Sequence, residues 1–160
     1  MGAVAEVMPQ EWGFGLNVIA HSSSSFWGCP AWIIVAVVSC LASCASLPES
    51  EHASTPEGTF SYATAGTGSP AVVFESGLGD GKESWRPIFE EVGKSTKVFA
   101  YDRGGYGAST AHSADRSAKE IVRELHALLK AAHIDPPFVL VGHSIGGLYA
   151  NLFAQTYPGE

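Results

Sequence analysis

Apolar and polar residues alternate along residues 59–65 (TFSYATA) with the period of two that sends successive side chains to opposite faces of a strand. The turn-forming GTGSP leads into Ala71–Glu75 (AVVFE), a continuous apolar run of the kind buried on both sides of a sheet. Past the glycine-rich loop ESGLGDG the period lengthens. Trp85, Ile88, Phe89 and Val92 fall at i, i+3, i+4 and i+7, which predicts an amphipathic helix with Ser84 as its N-cap. Residues 97–101 (KVFAY) read as the next strand and DRGGYGAS as a second glycine-rich turn. Ser117 and Glu120 have capping-box spacing, and Ile121, Val122, Leu125, Leu128, Leu129 and Ala132 continue them as one apolar helix face. Asp135-Pro136-Pro137 should stop that helix, because proline has no backbone donor to offer it. Residues 138–141 (FVLV) then predict a strand and residues 145–157 a helix. Alternation at this spacing predicts an α/β domain, a mostly parallel sheet with flanking helices.

The front of the chain has a different texture. Residues 27–45 (WGCPAWIIVAVVSCLASCA) are apolar, but their continuous core, residues 31–38, is shorter than the ~20 residues a membrane-spanning helix requires. The length suits the core of a signal peptide. It ends in Leu41-Ala42-Ser43-Cys44, which resembles the lipobox of bacterial lipoproteins and implies lipidation at Cys44. The chain is therefore divided into a leader (1–30), an apolar signal segment (31–44), a flexible Ser/Pro/Glu-rich tether (45–57) and an α/β domain (58–160). Residues 1–30 lack the Lys or Arg that opens a secretory signal. An uncleaved membrane anchor and a stretch that is never translated stand as alternatives to the exported, membrane-tethered lipoprotein.

Charge narrows the partners. No Lys or Arg precedes Lys82, so the net charge of −7 falls on residues 1–81, and residues 82–160 balance nine acids with nine bases. A nucleic-acid partner is excluded, since phosphate neutralisation needs a basic surface. Cys29, Cys40 and Cys44 all precede the domain, so no disulfide framework is expected within it, and their spacing makes no metal site. GDGKE at residues 79–83 lacks the first Gly and the final Ser or Thr of a P-loop, which rules out that nucleotide cradle.

The chemistry centres on Gly142-His143-Ser144-Ile145-Gly146, a match to G-x-S-x-G placed between an apolar strand and an apolar helix. That motif demands a sharp strand-to-helix turn holding the serine in a strained conformation with its hydroxyl exposed, and glycines at both flanks to avoid collision. The helix N-terminus would leave the Ile145 amide free to stabilise an oxyanion.

With Ser76-Gly77-Leu78-Gly79 after the AVVFE strand and Asp102 to Ser109 (DRGGYGAS) after the next, the chain resembles the α/β-hydrolase superfamily over about residues 58–160. The resemblance implies a serine hydrolase acting on carboxylic esters or related acyl bonds through an acyl-enzyme on Ser144. It further implies oxyanion amides at Ile145 and Leu78, structural glycines at Gly77, Gly142 and Gly146, a small ester-like substrate and no cofactor. Ser76 stands where relatives often have His. The family places its acid and histidine after the serine, whereas the only ionisable side chains here after Ser144 are Tyr149, Tyr157 and Glu160. The chain is thus expected to be the fold's N-terminal portion, inactive by itself and with FVLV as an exposed sheet edge prone to self-association.

Earlier histidines are poor substitutes. His143 adjoins Ser144 but diverges across the turn, His126 and His133 read as surface residues of their helix, and His112 could approach only if its loop folded over the site. Asp102, which with Glu75 could suggest a carboxylate pair, is expected to bond local backbone amides in its turn. The contrasting expectation is a non-catalytic, membrane-tethered lipoprotein that uses part of the fold for binding.

Overall fold

The computed structural model describes residues 46–111 and 115–160. The leader, the apolar signal segment, Cys44 and His112 lie outside the described residues. Among the described residues six strands form one sheet: β1 (Glu51–Thr55), β2 (Gly58–Ala65), β3 (Ala71–Glu75), β4 (Val98–Tyr101), β5 (Thr110–Ala111) and β6 (Phe138–Gly142). The order is β1-β2-β4-β3-β6, with β5 alongside β2. Three helices of the described residues flank it: α1 (Arg86–Gly93), α2 (Ala118–Ala131) and α3 (Ile145–Thr156). None of the described helices is long and apolar enough to cross a membrane.

The sheet is mixed. β4, β3 and β6 run parallel, as the alternation of strand and helix predicts, but β2 pairs antiparallel with β1, β4 and β5. The expectation of a mostly parallel sheet holds for that β4-β3-β6 half. The other half is antiparallel: β1 and β2 form a hairpin whose two-residue connection is too short for a crossover helix, and β4 and β5 add to β2 in the same sense.

Period-two side chains divide the core. Phe60, Tyr62, Val73, Phe99 and Tyr101 face α2 and α3, where Leu125, Leu128 and Phe153 meet them. Ala63, Phe74, Val98 and Ala100 face α1, where Phe89 is buried and Trp85 and Val92 pack beside it. Ile88, expected in that helix's apolar stripe, is instead 43% exposed.

Three expectations need correction. Residues 51–55, placed in the tether, form β1; its polar sequence EHAST buries only Ala53, so pairing with β2 makes the strand where hydrophobic pattern gives no signal. Ser84 does not cap α1. It lies in a 3-10 turn, Lys82–Trp85, where its hydroxyl donates to the Gly81 carbonyl, and α1 begins from Trp85 with proline in its first turn. Helix α2 starts as expected, with the Ser117 hydroxyl accepting from the Glu120 amide, but ends before the prolines. His133 takes a left-handed φ of 56°, and the amides of His133 and Ile134 return to the carbonyls of Lys130 and Leu129. Those two bonds satisfy the helix end, and buried Ile134 covers it.

β6 is the last strand in the sheet order and pairs only with β3 among the described residues. Val139 on it is 44% exposed, and the Phe138 amide donates to the Glu160 carbonyl at 2.9 Å.

Candidate active site

The register of β3 and β6 pairs Glu75 with Gly142, so the segments beginning at Ser76 and His143 leave the sheet side by side at the carboxyl ends of parallel strands. The His143 amide donates to the Glu75 carbonyl at 3.0 Å, the last bond before the two segments separate. Ser144 follows at φ 53°, ψ −124°, a conformation a side chain adopts only under constraint, and it is exposed. Helix α3 starts at the next residue. The amides of Gly146 and Gly147 turn back to the carbonyls of His143 and Ser144. The Ile145 amide has no acceptor among the described residues, as expected for a first-turn donor.

Both elbow glycines are required by backbone contact. A Cβ on Gly142 would lie 2.5 Å from the Gly147 nitrogen and 2.6 Å from the Gly146 carbonyl, the collision across the turn that the motif predicts. A Cβ on Gly146 would instead strike the neighbouring segment, 2.2 Å from the Glu75 carbonyl oxygen and 2.7 Å from that of Ser76. Gly146 is therefore the point where the elbow seats against the loop after β3. Gly77 has looser needs: its Cβ would meet only the ends of the His143 and Asp80 side chains, at 2.8 and 2.9 Å. Leu78, the second expected oxyanion donor, is 74% exposed on that loop, and its amide too has no acceptor among the described residues.

Strain at Ser144 sets up a trade between stability and chemistry. Replacement by glycine, which adopts positive φ freely, is expected to raise stability by about 1 to 2 kcal/mol while removing the hydroxyl. Ser144→Ala should leave stability near that of the parent, because it keeps the strain. Urea midpoints of the two variants check this; equal midpoints would mean that Ser144 is unstrained.

The histidines divide as follows. His143 is exposed, with Nδ1 3.6 Å from Asp80 Oδ2. His133 is exposed, as expected. His126 is not a surface residue: its ring stacks on Tyr157 at 3.7 Å between centroids, and Nε2 lies 3.0 Å from Glu160 Oε1, locking α2 to the end of α3. Its position on the helix is right, but the face expected to meet solvent is covered by α3.

Two buried ion pairs behind the elbow escaped the sequence reading. Asp102 bonds Lys82 rather than its own turn: Oδ1 accepts the Lys82 amide at 2.9 Å, and Oδ2 meets Nζ at 2.6 Å, with both side chains at least 93% buried. Lys82 Nζ also donates to the Ser61 hydroxyl. Glu75 and Arg103 form the second pair, at 2.6 Å. The other Glu75 oxygen accepts from the Tyr101 hydroxyl. Burial raises the Glu75 carboxyl above the ordinary range, against the pull of Tyr101 and Arg103. Burial and the neighbouring carboxyl raise the Tyr101 phenol well above its usual value, so it stays neutral and donates. The sequence did hold a signal, an acid closing the buried AVVFE run, which must find a partner when it leaves water.

Arg103 reaches further. Nη1 also donates to the Ser76 carbonyl at 2.5 Å and Nη2 to the Gly77 carbonyl, while the guanidinium lies over the rings of Tyr106 and Tyr149. Ser76 joins the same loop to the 3-10 turn before α1, donating to the Gly81 carbonyl and accepting from Trp85 Nε1 at 2.9 Å. Ser76, which stands where the resemblance implies a histidine, is thus a polar anchor of the loop.

Comparison with known proteins follows this architecture. Residues 70–160 match the family model for the alpha/beta hydrolase fold. The uncharacterized protein YqjL of Bacillus subtilis is 39% identical over 89 residues, 56% of this chain and 35% of its own length. A 2-hydroxy-6-oxo-6-(2'-aminophenyl)hexa-2,4-dienoic acid hydrolase of Metapseudomonas resinovorans is 32% identical over 54% of this chain and 30% of its own. A solved protein of Acinetobacter baumannii, provisionally called a lipase, superposes with a TM-score of 0.66 at 26% identity, over 72% of this chain and 39% of that one. The chain thus spans about a third of the length of the curated relatives it matches. Since the family match covers more than half of the sequence and the serine elbow sits where the strand and helix require it, the chain belongs to the alpha/beta hydrolase fold family.

Proposed function

We propose that the protein is a serine hydrolase that cleaves carboxylic esters or related acyl bonds, with Ser144 as nucleophile. One observation carries the reading: an exposed serine held at φ 53° between β6 and α3, a conformation worth its cost of about 1 to 3 kcal/mol only if the hydroxyl is used. Ser144 Oγ attacks the acyl carbon, and the amides of Ile145 and Leu78 stabilise the oxyanion. The alcohol leaves, and water then releases the acid from the acyl-enzyme. Hydrolases among the relatives favour this class of reaction.

Attack also requires a base at hydrogen-bond distance from the serine hydroxyl. No described side chain bonds the Ser144 hydroxyl, and the chain spans about a third of the length of its curated relatives, so the reading assigns little or no turnover to these 160 residues alone. A p-nitrophenyl ester supplied to the full-length protein should give a burst of nitrophenol and an acyl adduct on the peptide containing Ser144. Ser144→Ala should lower the rate by roughly 10⁴-fold or more. An unchanged rate in that variant would rule out the assignment.

On the same reading Cys44 carries a lipid that tethers the protein to a membrane, supported by the lipobox-like LASC sequence. The intact mass of detergent-extracted protein tests it: a species starting at unmodified Met1 would sink the idea.

A further inference from the structure

The buried Arg103 is bound to the very peptide whose amide is needed in the site. A trans peptide is planar, and its carbonyl and N–H point in opposite directions. The carbonyl of Gly77 and the amide of Leu78 belong to one such unit. Arg103 Nη2 takes that carbonyl from the buried side, and Nη1 takes the preceding carbonyl, of Ser76, at 2.5 Å. With Gly77 buried and Leu78 exposed, the Leu78 amide faces outward, where the Ser144 elbow lies against the loop through Gly146. We propose that Arg103 is a positioning residue for the oxyanion site, orienting the Gly77–Leu78 peptide and polarising it toward donation; this rests on the reading of Ser144 as nucleophile.

The surroundings support the role. Glu75 grips the guanidinium from β3 at 2.6 Å, Tyr101 holds Glu75 from β4, and Tyr149 of α3 lies under the cation at 5.7 Å. Arg103 therefore contacts the loop after β3 and the helix after the nucleophile at once. A positive charge on a carbonyl oxygen draws electron density from its amide and strengthens that N–H as a donor, an effect enlarged by burial. A lysine could keep the charge but not the planar fork that reaches Glu75 and two carbonyls together.

The test uses the full-length protein with p-nitrophenyl acetate and an alkyl fluorophosphonate. A folded parent whose Ser144 is not labelled by the fluorophosphonate overturns the hydrolase reading, and the positioning role with it. Given a labelled parent, Arg103→Lys is expected to lower kcat by roughly 10- to 100-fold with KM within about twofold, since the donor acts on the transition state. Tyr101→Phe, which loosens Glu75 without touching the peptide, should lower kcat by roughly threefold or more on the same grounds. Folded Arg103→Lys with the parent's kcat would overturn the proposal while leaving the nucleophile intact. Should Arg103→Lys fail to fold, Tyr101→Phe decides: a kcat equal to the parent's overturns it.

Discussion

Gly146→Ala is expected to destroy the folded state, lowering stability by at least about 3 kcal/mol, because the added methyl meets the backbone of the segment after β3 and no rotamer can remove it. The new carbon would lie 2.2 Å from the Glu75 carbonyl oxygen and 2.7 Å from that of Ser76, atoms already fixed by the sheet and by Arg103. Relief would require α3 to move away from β3, which would also carry Ile145 away from the loop holding Leu78. The neighbouring Gly147→Ala is the control. Its Cβ would find nothing nearer than the Gly142 carbonyl at 4.0 Å, so it should gain about 0.5 to 1 kcal/mol from helix propensity. Chemical denaturation of the two variants separates a specific seat at Gly146 from a general need for glycine.

Lys82→Met should cost about 3 to 5 kcal/mol, the loss expected when one partner of a buried ion pair is removed and the other remains charged. Asp102 would keep the Lys82 amide but lose Nζ at 2.6 Å, and the Ser61 hydroxyl would lose a partner as well. Adding Asp102→Asn should recover a large part of the loss, because the neutral amide can still accept from the Lys82 backbone. A double variant as unstable as Lys82→Met alone would show that the lysine contributes by packing rather than by charge.

These two sites mark the boundary of what the sequence disclosed. The elbow was legible because its cause is local: strand, glycine, serine, glycine and helix follow one another, and the strained φ follows from that order. Strands with apolar runs were legible for the same reason, β3 with its boundaries intact. Lys82, Asp102 and Arg103 lie in glycine-rich stretches of sequence where charge ordinarily means solvent, and their partners are 20 or more residues away. Only chain topology brings β3, β4 and their loops together, so burial of these charges has no counterpart in local pattern. His126 illustrates the reverse error: helix periodicity gave its face correctly, but not that Tyr157 and Glu160 of the following segment would cover it. β1 is a polar edge strand that exists through its partner, a property no one-dimensional period reports.

The reading of Ser144 is tested most directly by exposing the full-length protein to an alkyl fluorophosphonate and mapping the adduct by peptide mass spectrometry. One phosphonyl group on Ser144, absent from Ser144→Ala and from heat-unfolded protein, is the predicted result. Folded protein that remains unmodified, or that is labelled at another serine, would contradict the assignment of Ser144 as an activated nucleophile.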